Sequence, residues 1–124
     1  ALPCLTIAAL NGTLAGGAFG MALACDLRLA VPTAKFFYPV MALGYLPQPS
    51  DPSRMSALVG PARTKMILMA GQKLTAAEAL TYGLIDQICA PKRLMKTAQS
   101  LCENTCKASP NHAHAIKQMC IPPS

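Results

Sequence analysis

Asn11-Gly12-Thr13-Leu14-Ala15-Gly16-Gly17-Ala18-Phe19-Gly20-Met21-Ala22-Leu23-Ala24-Cys25-Asp26 is the stretch on which the fold turns. Just before it, Cys4 to Ala9 is apolar at nearly every position, the pattern of a strand buried on both faces. Asn11-Gly12 supplies turn chemistry, and Gly16-Gly17 precedes Ala18 to Ala24, which is apolar all round and built of small residues. That composition predicts a helix enclosed by the core. A strand, a glycine turn and a buried helix in succession leave the first N–H groups of the helix without intrahelical partners, with the positive end of the macrodipole behind them. Such a start favours a developing anion, and glycine lets a substrate carbonyl approach the backbone donor. Close packing of helix against strand would call for the same glycines.

Beyond Asp26, Leu27 to Val31 alternates like a half-exposed strand and stops at Pro32, and Lys35 to Tyr38 reads as a second short strand ended by Pro39. Gly44 to Pro52 carries Pro47, Pro49 and Pro52, so it is expected to be a rigid loop, with Ser50 or Asp51 capping the helix that follows. That helix runs through Met55 to Val59 and stops at Gly60. Pro61 opens another that continues to Ala70 before Gly71. Thr75-Ala76-Ala77-Glu78 has capping-box spacing and starts a short helix ended by Gly83, with Leu84 to Ile88 as a strand after it. Leu94, Ala98, Leu101 and Thr105 recur at helical spacing, predicting a helix from Leu94 to Ala108, and Asn111 to Met119 forms a last helix after Pro110. The fold class is therefore α/β, and 124 residues suit a single domain.

Composition narrows the function classes. Apolar residues make up 52% of the chain and aromatics 5%, which favours a helix-rich globular interior. Asn11, Asp26 and Arg28 interrupt the apolar first half, so no run reaches the roughly 18 to 20 residues a membrane span needs. No basic region precedes the first apolar run, which argues against a secretory signal. The net charge is +6, but the bases are spread along presumed helices without interleaved aromatics, which fits a phosphate-bearing small molecule or a solvated face better than nucleic acid. Cys4, Cys25 and Cys89 sit in apolar segments as reduced cysteine does, pointing to a reducing compartment such as the cytoplasm or the mitochondrial matrix. Cys102 and Cys106, with His112 and His114 beyond, lack zinc-type spacing, so no metal site is expected. Met55, Met66 and Met69 read as fillers of core gaps. The chain opens on Ala1-Leu2-Pro3 and enters a strand at once, as a fragment or processed product would.

The segment NGTLAGGAFGMALACDLRLA resembles the signature of the enoyl-CoA hydratase/isomerase (crotonase) family. Ala34-Lys35-Phe36 with Pro39, Leu43-Gly44 with Pro47, Leu58 to Ala62, Leu68 to Gly71 and Ala76 to Asp86 are similar to family motifs in the same order. The resemblance covers about residues 3 to 119 and implies a partial crotonase-like spiral of strand-strand-helix units over 1–124. It further implies trimers or hexamers of the intact parent, and an acyl-CoA thioester as substrate or ligand with no other cofactor. The shared chemistry is stabilisation of a thioester enolate in a hole of two backbone N–H groups. One of these corresponds to Gly17, and the other would lie upstream of Ala1.

The two glutamates with which hydratases activate water correspond to Gly20 and Val40. Neither can carry a proton, and losing such a group removes about 10²–10⁴-fold in rate, so hydration by that route is not expected. Gln48 stands where several relatives place a functional side chain, and it can bind or orient but not titrate. Gly16, Gly20, Val40, Gln48 and Tyr38 are thus the expected substrate contacts, with Tyr38 packed and Asp51 serving as a helix cap. The parent reads as an acyl-CoA enzyme of enolate chemistry; the alternative is a non-catalytic acyl-CoA binder or assembly module of the same fold. The isolated 124-residue chain is expected to associate or be poorly stable, and to bind acyl-CoA weakly.

Overall fold

The computed structural model describes residues 4–121. Its strands are β1 (Ile7–Leu10), β2 (Leu14–Ala15), β3 (Leu27–Ala30), β4 (Lys35–Phe37), β5 (Leu74–Thr75) and β6 (Gln87–Ile88). The helices are α1 (Phe19–Ala24), α2 (Val40–Leu43), α3 (Asp51–Val59), α4 (Pro61–Leu68), α5 (Ala76–Tyr82), α6 (Leu94–Lys107) and α7 (Pro110–Met119). Strands β1, β3 and β6 form one parallel sheet in that order, and β2, β4 and β5 form a second, with β4 and β5 antiparallel. Each strand pair, β1 with β2 and β3 with β4, sends one strand to each sheet and is followed by helix. This is the strand-strand-helix repeat.

The register Ile7↔Leu27 through Leu10↔Ala30 makes β1 an edge strand and β3 a central one. Two expectations change for that reason. The first strand begins at Ile7 rather than Cys4 and is only half-buried along its length. β3 is not half-exposed: Arg28, Leu29 and Ala30 are all buried, because both edges of β3 are paired.

Charged side chains clamp the sheet at the start of its strands. Asp26 Oδ2 accepts from the Thr6 amide at 2.9 Å and hydroxyl at 3.1 Å, while the Asp26 amide donates to Thr6 Oγ1 at 2.9 Å. Lys117 Nζ lies 2.8 Å from the same Oδ2 and donates to the Cys4 carbonyl, which ties α7 to the segment leading into β1. Asp86 does for β6 what Asp26 does for β1: its Oδ2 accepts from the Arg28 amide at 2.9 Å and its own amide donates to the Arg28 carbonyl at 2.8 Å.

The helices from α3 onward follow the starts and stops read in the sequence, except that α4 ends at Leu68 rather than at Ala70. Thr75 and Glu78 form both bonds of a capping box, Thr75 N–H to Glu78 Oε1 at 3.0 Å and Glu78 N–H to Thr75 Oγ1 at 3.1 Å. These bonds hold the Glu78 carboxyl below the usual range. α5 ends at Gly83, whose φ of +87° is left-handed and whose missing Cβ would stand 3.1 Å from the Leu58 carbonyl. α6 begins at Leu94 as the spacing requires and turns Leu94 and Ala98 into the core. The expected strand over Leu84 to Ile88 contracts to Gln87–Ile88, since the Leu84 and Ile85 amides donate to the Ala79 carbonyl within α5.

Other expectations give way to the packing. Met55 is fully enclosed, but Met66 and Met69 are 48% and 59% exposed, because α4 turns only one side toward the core. Cys89 is buried as expected while Cys4 is exposed, being outside the strand it was assigned to. The one-turn helix α2 and the two-residue strands β2 and β5 carry too few residues for a periodic signal.

Candidate functional site

Gly16–Ala18 form a single 3-10 turn that leads from β2 into α1. α1 is not enclosed all round: Phe19, Ala22 and Leu23 are buried, but Met21 is 83% exposed and Ala18 and Ala24 are also exposed. Six residues make fewer than two turns, so one side packs on α3 and the other stays open.

The three glycines of this segment stand in three different situations. Gly16 sits at φ +56°, a conformation that side chains disfavour. At Gly20 a Cβ would lie 3.3 Å from Asp51 Oδ1, so a side chain there would press on that oxygen. Gly17 has neither reason: its φ is not left-handed, it is exposed, and nothing lies within 4 Å of where its Cβ would be. Close packing of helix on strand within this chain therefore does not explain Gly17.

Beneath Gly20 a polar chain runs between elements. Asp51, the first residue of α3, is fully buried, and its Oδ2 accepts a 2.7 Å hydrogen bond from the Tyr38 hydroxyl. The Tyr38 oxygen in turn accepts from the Gln48 amide at 3.3 Å, and the Tyr38 ring stacks on Phe19 with centroids 5.3 Å apart. Asp51 Oδ1, facing Gly20, has no hydrogen-bond partner. Burial first, and then the Asp51 hydrogen bond, push the Tyr38 hydroxyl pKa up, against the opposing pull of the Gln48 N–H.

Asp51 is thus not the helix cap expected of it, and neither is Ser50, which occupies the N-cap position without a side-chain bond. The reason is that Tyr38 draws the carboxylate inward. Tyr38 is packed as expected, at 3% exposure. Gln48 joins the chain through its backbone, while its side chain is exposed. Val40 opens α2 half-buried, two residues after Tyr38. Gly20, Tyr38 and Gln48 are therefore brought together around Asp51. Only the combination of an Asp at a helix start with a Tyr and a Gly elsewhere could have signalled this, and no sequence spacing relates those three.

Two clefts lie beside this region. One of about 330 Å³ is lined by Thr13, Lys35, Phe37, Lys73, Leu74 and Thr75. Another of about 300 Å³ is lined by residues that include Tyr38, Pro39, Met41, Leu68 and Lys73. Lys73 borders both and holds its ammonium 5.1 Å from the Phe37 ring centroid. Gly16, Gly17 and Gly20 line neither of them. No helix among the described residues is long and apolar enough to cross a membrane.

Known proteins share both the sequence and the fold. Residues 1–121 match the family model of enoyl-CoA hydratase/isomerase. The chain is 35% identical over 112 residues to the short-chain-enoyl-CoA hydratase of Clostridium acetobutylicum, covering 90% of this chain and 43% of that protein. It is 32% identical over 113 residues to the carnitinyl-CoA dehydratase of Salmonella arizonae, covering 91% and 43%. Among solved structures, an enoyl-CoA hydratase from Mycobacterium tuberculosis superposes with a TM-score of 0.88 at 27% identity, over 96% of this chain and 54% of that one. A Thermobifida fusca structure in complex with CoA gives 0.88 at 27%, over 94% and 46%. This chain spans about two fifths of the length of these curated relatives. With the family model matched almost from end to end and the crotonase fold reproduced, the chain belongs to the enoyl-CoA hydratase/isomerase family.

Proposed function

We propose that the protein binds an acyl-CoA thioester at the turn before α1 and stabilises its enolate through the Gly17 N–H. The observation that carries this reading is Gly17 itself, a glycine for which neither φ nor any neighbour within 4 Å supplies a reason. A thioester oxygen hydrogen-bonded to that amide needs the bare backbone, and a developing oxyanion there gains most from a donor that is already in place. The CoA bound in the Thermobifida fusca structure supports the ligand class. Gly16 and Gly20 flank the donor, and Tyr38, Val40 and Gln48 lie on the segments that follow it. Water addition by two glutamates is outside this reading, because Gly20 and Val40 hold the positions those groups would need. Exposed Met21, Leu43, Tyr45 and Leu46 support assembly of the intact protein into trimers or hexamers.

The absence of proton-transfer groups at residues 20 and 40 also favours a second reading, a non-catalytic acyl-CoA binder of the same fold. Calorimetric titration of the intact protein with butyryl-CoA, beside a crotonyl-CoA hydration assay, tests the main points. The expected result is binding that Gly17→Val weakens, without hydration. Failure of the intact protein to bind any acyl-CoA overturns the reading, and turnover of crotonyl-CoA overturns the exclusion of hydration. The 124-residue chain on its own is expected to bind less tightly than the intact protein and to self-associate in sedimentation.

A further inference from the structure

Asp51 is a carboxylate with one oxygen bound and the other empty. It is 0% exposed, Oδ2 is held by Tyr38 at 2.7 Å, and Oδ1 is unpartnered. An isolated buried acceptor costs stability, and folded chains seldom keep one that nothing uses. The direction of Oδ1 is specific: it lies 3.3 Å from the point where a Cβ of residue 20 would begin. Gly20 is half-buried and sits beside exposed Gly17, Ala18 and Met21, so Oδ1 lies against a partly open position of α1 that carries no side chain. The space that a side chain at position 20 would take is thus served by a carboxylate from α3.

We propose that Asp51 is the proton-transfer carboxylate of this protein, reaching the acyl-CoA α-carbon through the gap left by Gly20. This rests on the acyl-CoA reading given above. In the step, the α-carbon C–H bond breaks and its proton forms an O–H bond on Asp51 Oδ1. The electron pair moves into the thioester to give an enolate whose oxygen is held by the Gly17 N–H. Return of a proton from Asp51 to carbon restores the thioester, and exchange of that proton with solvent leaves deuterium on the substrate in heavy water. Tyr38 is a positioning residue: its hydroxyl fixes Oδ2, which leaves Oδ1 as the reactive oxygen, while the Gln48 N–H and the Phe19 ring hold Tyr38.

The test is solvent deuterium incorporation at the α-carbon of butyryl-CoA, followed by NMR with the intact protein, alongside calorimetric affinity. Asp51→Asn is expected to lower the exchange rate by about 10²-fold or more with affinity retained. Gly20→Ala, which places a methyl group against Oδ1, is expected to lower exchange in the same direction without loss of thermal stability. That variant keeps the question answerable if Asp51→Asn folds poorly. Tyr38→Phe should reduce exchange less, by releasing the carboxylate rather than removing it. An Asp51→Asn protein that binds and exchanges like the wild type overturns the assignment and leaves the acyl-CoA reading standing. A wild type that binds butyryl-CoA but never exchanges its α-protons overturns the assignment too, and makes the protein a binder. A wild type that binds no acyl-CoA overturns both.

Discussion

Arg28 in the first sheet and Asp51 under α1 are both buried, at 4% and 0% exposure, and the fold treats them in opposite ways. The Arg28 guanidinium is surrounded by acceptors. Nε donates to the Leu84 carbonyl at 3.0 Å, Nη1 to the carbonyls of Ala22 at 3.0 Å and Cys25 at 2.7 Å, and Nη2 lies 3.7 Å from Asp86 Oδ2. Its planar fork closes the end of α1, the turn after it and the entry to β6 in one group. Burial draws its pKa down, and Asp86 works against that. Asp51 has one donor, from Tyr38, and an empty second oxygen. A buried charge whose hydrogen bonds are complete serves structure, whereas one left incomplete carries a cost that folding does not explain.

The largest expected effect breaks the satisfied side of this comparison. Arg28→Leu takes a donor at once from the Leu84, Ala22 and Cys25 carbonyls, of which Ala22 keeps the Cys25 amide, and removing one member of a buried charged network costs about 3–5 kcal/mol. Urea unfolding monitored by circular dichroism should show the unfolding free energy fall by that amount, with the midpoint lowered in proportion. A loss below about 1 kcal/mol would place Arg28 with ordinary surface pairs.

A pair of glycines sharpens the comparison. Gly83 and Gly20 each face an oxygen, at 3.1 and 3.3 Å from the missing Cβ. Gly83 opposes a backbone carbonyl in a left-handed turn, so Gly83→Ala is expected to lose about 1–2 kcal/mol. Gly20 lies inside a helix and opposes a side chain that can move, so Gly20→Ala should lose nothing and can gain up to about 1 kcal/mol of helix propensity. Thermal denaturation of the two variants side by side checks the difference. Asp51→Asn tests the unsatisfied side directly. It keeps an acceptor for Tyr38 and removes a buried charge, so stability is expected to hold or to rise by about 1 kcal/mol, the reverse of Arg28→Leu.

How far these regions could be read from sequence differs in the same way. The helix starts at Pro61, at Thr75 with Glu78, and after Pro110 were legible because the signals are local: proline suits a first turn, and each capping-box bond spans three residues, whereas the Ser109 cap of the last helix was not read. The Cys25-Asp26 pair and the Leu84-Ile85-Asp86 run were legible as motifs, and the sheet shows what they do, since both acids bind amides at strand entries. Arg28 was misplaced because alternation alone does not tell a central strand from an edge. Arg28, Leu29 and Ala30 are buried in a strand that pairs with Ile7–Leu10 on one side and Gln87–Ile88 on the other. At the candidate site Gly17 and Gly20 were marked by the family resemblance, but the group that Gly20 faces is a carboxylate 31 positions away in the chain. Asp51 looked like a cap because an Asp at a helix start usually is one, and the competing donor, Tyr38, is brought to it only by the fold.

Between the satisfied and the unsatisfied extremes stands Asp26, and it gives the smallest effect. Burial raises its pKa, but the Lys117 ammonium and then the Thr6 amide and hydroxyl outweigh burial and hold the carboxyl below its ordinary range. A depressed acid binds protons more weakly in the folded state than in the unfolded one, so its contribution is present in full above the unfolded pKa. That contribution is lost as the pH falls below the ordinary value near 3.8 and through the lower folded value. The side chains of Lys117 and Asp26 keep 21% and 27% of their exposure, which limits the pair to about 1 kcal/mol in dilute salt and less in concentrated salt. Lys117→Met should therefore flatten, without abolishing, the acid end of the stability profile, because the two Thr6 bonds remain. Thr6→Val should remove the hydroxyl share while keeping the amide. Denaturant midpoints measured at pH values on either side of 3.8 for the wild type and both variants give the comparison. If Lys117→Met reproduces the wild-type profile at every pH, the ammonium contributes nothing and the clamp between β1 and β3 is held by Thr6 alone.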